Sequence, residues 1–161
     1  MKTVSTRELR FRKLFILLAF CFLVLFGASK IFGLMRNALC YPYLGCNIGF
    51  FGYDALLHFV SGMMEVAGLV WLGLRYRLYS FQDRFWKNAV FLIALIALIA
   101  VSWEFVEFAY DHFRMDILHT NLTNPNQMAQ ASNSDTMGDI FFSMLGSAIT
   151  IFGTRLFKKG K

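Results

Sequence analysis

Four stretches of this sequence are long and apolar enough to cross a lipid bilayer, which takes about 20 mostly apolar residues in a helix. They cover about residues 14–35, 55–74, 88–109 and 136–157. The 161 residues are 57% hydrophobic and 16% charged, whereas about 25% of the residues in a soluble domain are charged. We therefore predict an all-α, polytopic membrane protein with one membrane domain, residues 1–161, built as a bundle of four transmembrane helices.

Basic side chains gather on one side of the predicted membrane. Thirteen of the 16 Lys and Arg residues lie in residues 1–13, between the second and third spans, or after the fourth span. Because Lys and Arg accumulate in cytoplasmic loops, we predict that both termini are cytoplasmic and that residues 1–13 form a basic N-terminus. The net charge of +6 then reflects orientation and contact with anionic membrane lipid, and no nucleic-acid partner is predicted.

Residues 1–29 also resemble a signal peptide, because a basic start precedes an apolar stretch that ends near Ala28. The apolar character continues to Met35, which favours a retained helix that spans the membrane. Cleavage would leave three spans in the same orientation.

Two cysteines, Cys40 and Cys46, lie in the connection after the first span. On the predicted outer side an oxidising compartment permits a disulfide between them. Their spacing does not fix the geometry, so a Cys40–Cys46 disulfide and two free thiols are both open.

Acidic residues and one histidine gather at the opposite, outer ends of spans two to four. Within each span they are three, four or seven residues apart, which places each group on one face of its helix. The set comprises Asp54, His58, Glu104, Glu107, Asp111, Asp135 and Asp139.

These outer residues also agree in depth. Counted from the basic residue at the other end of each span, His58, Glu104 and Asp139 all lie about 25 Å away. The next acidic residue outward in each span lies about 30 Å away, so two layers are expected. Asp54 and Asp135 also stand where their helices begin, and each by itself suits an ordinary helix cap.

Several carboxylates this close together are too costly to remain ionised without a partner inside a membrane. Either some carry protons or a cation binds between them. Oxygen ligands and one imidazole suit Mg, Mn, Fe or Zn. We therefore predict a divalent metal site with His58, Glu104 and Asp139 as the first ligands. The further candidates, as ligands or as residues that orient His58 or complete the outer layer, are Asp54, Glu107 and Asp135.

The same positions resemble a known family. The shared motifs are D-x-x-x-H-x-x-x-G from Asp54, E-x-x-E from Glu104 and D-T-x-x-D from Asp135, followed by Gly146. With them, residues 50–153 resemble the YjdF-like family of small bacterial inner-membrane proteins and, more loosely, VanZ-like membrane proteins. Two acids stand where Gln and Asn are expected in VanZ-like proteins, which favours the YjdF-like assignment. The resemblance implies a bacterial inner-membrane location and a recurring acidic constellation, but no activity.

The leading functional hypothesis is a divalent-cation site at the outer end of spans two to four, with metal-dependent chemistry on a lipid or envelope substrate. One alternative is a proton- or cation-coupled transport component in which Glu65, near the midplane, acts as a relay. Another is a structural or assembly protein without catalysis. The expected partner is membrane lipid, and another membrane protein or a second copy of the chain is open.

Overall fold

The computed structural model is a four-helix bundle. Its helices are α1 (Thr6–Phe32), α2 (Tyr53–Tyr76), α3 (Phe85–Asp116) and α4 (Asn133–Leu156). The structure describes residues 5–32, 53–78, 85–118, 129 and 133–156. Each helix contains a segment long and apolar enough to cross a membrane, and these described residues include no strand. The all-α prediction with four spans is confirmed, whereas the Cys40–Cys46 disulfide lies outside the described residues.

Two helices extend beyond the predicted spans. Helix α1 begins at Thr6 rather than near residue 14, because Ser5 caps it: the Ser5 Oγ accepts a hydrogen bond from the Glu8 backbone N–H at 3.1 Å. A Ser followed three residues later by Glu is a helix-start pattern, so much of the basic N-terminal segment is helical. Helix α3 continues past residue 109 to Asp116. A helix of this length measures about 48 Å, longer than the hydrocarbon layer of about 30 Å.

Helix α2 is the centre of the bundle. It packs most extensively on α4, and α1 covers another side of it, while α3 packs mainly on α4. In the described ranges, the backbone of α1 approaches neither α3 nor α4 closely. Helices α1 and α2 are antiparallel, since Arg75 near the end of α2 lies 3.7 Å from Glu8 and Phe15 stacks on Trp71. The helices therefore follow one another in space as α1, α2, α4 and α3.

The parallel pair α2–α4 is held together at two glycines. A Cβ atom on Gly62 would collide with the backbone carbonyl oxygen of Ser143, and one on Gly146 would collide with that of Phe59. Small residues allow this close approach of helices in membranes, where packing rather than the hydrophobic effect drives association. Gly62 and Gly146 thus lie in the α2–α4 interface, which brings the polar faces of these two helices together.

The apolar core lies toward the end of the bundle that carries the basic residues, here called the basic end. Its buried side chains come from all four helices. They are Phe11, Val66, Val70, Ala89, Leu92, Ile96 and Ile151. Large apolar side chains on the outside of α1 and α3, such as Phe20, Phe91 and Leu98, are exposed, as expected for surfaces that meet lipid tails.

Candidate metal centre

His58 lies between two carboxylates at the other end of the bundle, here called the acidic end. Its Nε2 atom is 4.0 Å from the Asp54 Oδ1 and 3.9 Å from the Asp139 Oδ2. One ligand atom of each residue lies within 4.8 Å of the other two. The side chains of His58, Asp54 and Asp139 are 11%, 14% and 5% exposed, so the three are largely shielded from their surroundings. We refer to these three candidate metal ligands as the metal centre.

The helix geometry explains why these three side chains meet. Asp54 and His58 are one turn apart in α2 and therefore share a face. Asp139 stands one turn before Ser143 in α4, and the close, parallel approach at Gly62 and Gly146 brings that face of α4 against α2. The metal centre thus depends on the same contact that joins the two helices.

Ser143 contacts the His58 ring. The Ser143 Oγ lies 3.4 Å from His58 Nδ1 and donates to the His58 backbone carbonyl oxygen, also at 3.4 Å. In the tautomer that carries its proton on Nδ1, the hydroxyl oxygen accepts from the Nδ1–H, and the Nε2 lone pair faces the two carboxylates. A hydrogen bond to the far nitrogen is the usual way in which proteins orient a metal-binding histidine.

The spacing is close to that of a metal site. Two ligands at about 2.0–2.2 Å from an ion in tetrahedral geometry are about 3.3–3.6 Å apart. The distances of 3.9 Å and 4.0 Å around His58 Nε2 exceed this range by a few tenths of an ångström, so the side chains would have to move closer together to bind an ion. The helix dipoles also suit carboxylate ligands, because Asp54 lies in the first turn of α2 and the N-terminus of α4 is adjacent.

Further carboxylates surround the metal centre. Asp135, Glu104, Glu107 and Asp54 all lie close enough to Asp139 for a Coulomb interaction. Glu104 is buried on α3 at 5% exposure and Asp135 at 8%. The structure thus brings all six predicted ligands to one end of the bundle. The sequence analysis predicts His58, Glu104 and Asp139 as the first ligands, whereas the three-residue group contains Asp54 instead of Glu104. Whether any of these residues binds a metal stays a prediction.

Glu107 and Glu65 line a cavity beside the metal centre rather than joining the three-residue group. The Trp103 Nε1–H donates to the Glu107 Oε1 at 2.7 Å, and the Ser61 hydroxyl donates to the Glu65 Oε1 at 2.8 Å. Both carboxylates and His58 line the same cavity. Glu65 is therefore placed where a relay could exchange protons with the metal centre, and its role as a relay stays a prediction.

Asp111 holds the chain that leads into α4. It is buried at 4% exposure, and its Oδ1 accepts a hydrogen bond from the Ala129 backbone N–H at 2.9 Å. The C-terminal extension of α3 thereby positions Asp111 as a structural acceptor near the acidic end.

Sequence reasoning missed the contributions of Ser143, Trp103 and α1. The sequence analysis gives no role to Ser143 or Trp103. It also places no candidate residue in the first span, whereas Phe22 and Phe26 of α1 line the cavity. The i,i+4 spacing of Trp103 and Glu107 was a usable signal, because such a pair can hydrogen-bond along one helix face.

Comparisons with known proteins agree with this architecture at the level of the family. No curated protein and no solved structure shows a significant match to the chain. The family described as "Predicted membrane protein (DUF2238)" matches residues 3–159, a range that contains all four helices and the metal centre. The YjdF-like interpretation is consistent with this match. The chain therefore belongs to the DUF2238 family of predicted membrane proteins.

Proposed function

We propose that the protein binds a divalent transition-metal cation through Asp54, His58 and Asp139 at the acidic end of the bundle. The observation that carries the proposal is the convergence of three potential ligand atoms, from two different helices, within 4.8 Å of one another. Ionisable side chains inside a membrane are costly and mark functional sites. A bound dication would offset the charge of the Asp54 and Asp139 carboxylates and would lower the electrostatic cost of placing further acids beside them.

The ligand chemistry narrows the choice of ion. Two carboxylates and one imidazole favour Mn, Fe or Zn, and no cysteine joins the described group. Three protein ligands leave coordination positions for water or a substrate, as in catalytic rather than structural zinc sites. A metal ion with an open position can activate water or polarise a substrate oxygen. Hydrolytic chemistry at the membrane surface is therefore the reaction class that this site would support.

The distribution of buried residues favours a site that is open from one end over a conducting path. Glu65 lies near the middle of α2 and could extend a relay inward. Beyond it, toward the basic end, the buried described side chains are apolar except for Thr150, beginning with Val66 and Val70 on α2. A proton or cation relay needs further polar groups there, so cation binding is the better-supported function and transport remains the alternative.

Elemental analysis of the purified protein tests the proposal. We expect close to one equivalent of Mn, Fe or Zn in the wild-type protein, retained after dialysis at neutral pH. His58→Ala and Asp139→Asn should each lose most of the metal, because removing one ligand of three weakens binding by several orders of magnitude. The thermal unfolding temperature of each variant is also measured, so that loss of metal is distinguished from loss of structure.

Matched controls come from the same end of the bundle. His112 is exposed on α3 and its Nδ1 lies 3.2 Å from the backbone oxygen of Phe108, so His112→Ala should retain the metal, as should Asp116→Asn. A wild-type protein that carries no metal and takes up none of these ions when they are added would reject the proposal. Protonated His58 paired with two carboxylates would then account for the geometry.

A further inference from the structure

A second feature of the acidic half is the cavity of about 270 Å³ between α1 and α3. Its position follows from the packing: α1 packs on α2 and α3 packs mainly on α4, so the backbones of the described parts of α1 and α3 do not approach each other closely. Helix α2 forms the inner wall of the cavity. The opening between α1 and α3 therefore faces the lipid layer rather than the interior of the bundle.

The polar part of the cavity wall is acidic. Glu65 lies deepest, near the middle of α2, and Glu107 lies on the opposite wall in α3. Asp54 and His58 add the edge of the metal centre. None of the described residues that line the cavity is Lys or Arg. In a setting of low dielectric constant, such a wall attracts a cationic group and repels an anionic one.

The rest of the wall is aromatic and apolar. Phe22 and Phe26 line the side formed by α1, with ring centroids 6.1 Å apart. Trp103 lines the side formed by α3, and its hydrogen bond to Glu107 fixes the indole ring beside a carboxylate. Ammonium groups bind favourably over aromatic faces, tryptophan above all. Phe26 is 40% exposed and Trp103 is 52% exposed, so both are accessible from the lipid side.

We propose that this cavity binds the ammonium head group of an amphiphile that enters sideways from the lipid layer between α1 and α3. The cavity is near the lower limit of small-molecule sites, which are about 300–1,000 Å³; it can hold a head group while the acyl chains stay between the two helices in lipid. Glu65 and Glu107 supply the negative charge and Trp103 supplies the aromatic face. This site goes beyond the metal centre and does not require an ion there.

Native mass spectrometry of the detergent-solubilised full chain tests the proposal with two lipids of identical acyl chains. Phosphatidylethanolamine carries an ammonium group, whereas phosphatidylglycerol carries a neutral glycerol in its place. We expect phosphatidylethanolamine to bind about tenfold more tightly. Glu65→Gln and Trp103→Leu should each remove most of this preference. Dodecylamine, which is an ammonium ion at neutral pH, should compete with phosphatidylethanolamine.

Two variants serve as matched controls. Trp86→Leu changes a tryptophan on α3 that is 59% exposed and lies outside the cavity, and Glu8→Gln removes an acid at the other end of the bundle. Both should keep the preference for phosphatidylethanolamine. A chelator-treated sample should keep it as well, so failure of the metal proposal and failure of this one are distinguishable.

Three outcomes would overturn the inference. Equal binding of the two lipids would show that no ammonium group is recognised. Loss of the preference in Trp86→Leu as well as in Trp103→Leu would show that it does not arise in the cavity. Competition by ethylamine as strong as that by dodecylamine would show that the ligand is a soluble amine rather than an amphiphile from the lipid layer.

Discussion

Toward the basic end of the bundle most of the buried side chains are apolar, whereas toward the acidic end many of them are Asp, Glu or Ser. Two polar contacts illustrate the contrast. Thr150, which lies near the apolar core, donates to the carbonyl oxygen of Gly146 in its own helix. At the acidic end, His58 meets Asp139 and Ser143 across the α2–α4 interface.

This difference separates stability from ligand binding. Hydrogen bonds within one helix do not depend on the neighbouring helices, and apolar packing requires no specific pairing of donor and acceptor. Side chains that need partners on another helix depend on the register and distance between α2 and α4. We therefore expect the apolar half to contribute mainly to the free energy of unfolding, and the acidic half to contribute mainly to what the protein binds.

The largest loss of stability and of metal binding is expected at the close α2–α4 contact, which joins the apolar half to the acidic half. Gly62→Ala and Gly146→Ala each place a methyl group against a backbone carbonyl oxygen of the opposite helix, which cannot move aside as a side chain can. We expect each change to lower the free energy of unfolding by at least about 3 kcal/mol. Each should also abolish metal binding, because α2 and α4 must separate. Titration of mixed micelles with dodecyl sulfate, followed by tryptophan fluorescence, measures the first effect.

Two other helical glycines provide the control for that test. A Cβ atom on Gly27 or Gly153 would meet nothing within 4 Å. Their alanine variants should unfold like the wild type and keep the metal. If all four alanine variants behaved alike, the close α2–α4 contact would not be the element that joins the two halves.

A smaller effect, confined to stability, is expected from the apolar core. Leu92 is 1% exposed, so Leu92→Ala should leave a cavity and lower the free energy of unfolding by about 2–3 kcal/mol. The metal content should not change, because the substitution lies in the other half. Leu98 on the same helix is 62% exposed; Leu98→Ala should be nearly neutral, since lipid fills the space. Loss of metal in Leu92→Ala would contradict the proposal that stability and metal binding depend on different halves of the bundle.

The smallest effect on stability is expected at the acidic end, where the substitution acts mainly on metal binding. Ser143→Ala removes the hydrogen bond to His58 Nδ1 and should weaken metal binding about tenfold, or about 1.4 kcal/mol, as measured by competition with a chelator. Its free energy of unfolding should fall by only about 1 kcal/mol, the net contribution of a hydrogen bond. Ser102→Ala is the matched control, because Ser102 is exposed and donates to the Leu98 carbonyl oxygen of its own helix. If both substitutions weakened metal binding equally, Ser143 would have no specific role beside His58.

Hydropathy and residue counting predicted the four helices and gathered the acids at one end, because span length and depth follow from a fixed rise per residue. They did not predict which acids meet His58. That choice depends on how each helix rotates and tilts against its neighbours, and the Gly62 and Gly146 contacts set it for α2 and α4. The cavity could not be predicted either, because the sequence does not show which pairs of helices lack a close contact.

The parallel pairing of α2 and α4 has a consequence for biosynthesis. His58 and Asp139 are encoded far apart, and α3 lies between their helices in the chain. At about 5–20 residues per second, a ribosome adds Asp139 roughly 4–16 s after His58. During that interval α2 resides in the bilayer with Asp54, His58 and Glu65 but without the helix that completes their surroundings. Chaperones of membrane insertion, or retention of α2 at the insertion machinery, would therefore influence the yield of correctly assembled protein.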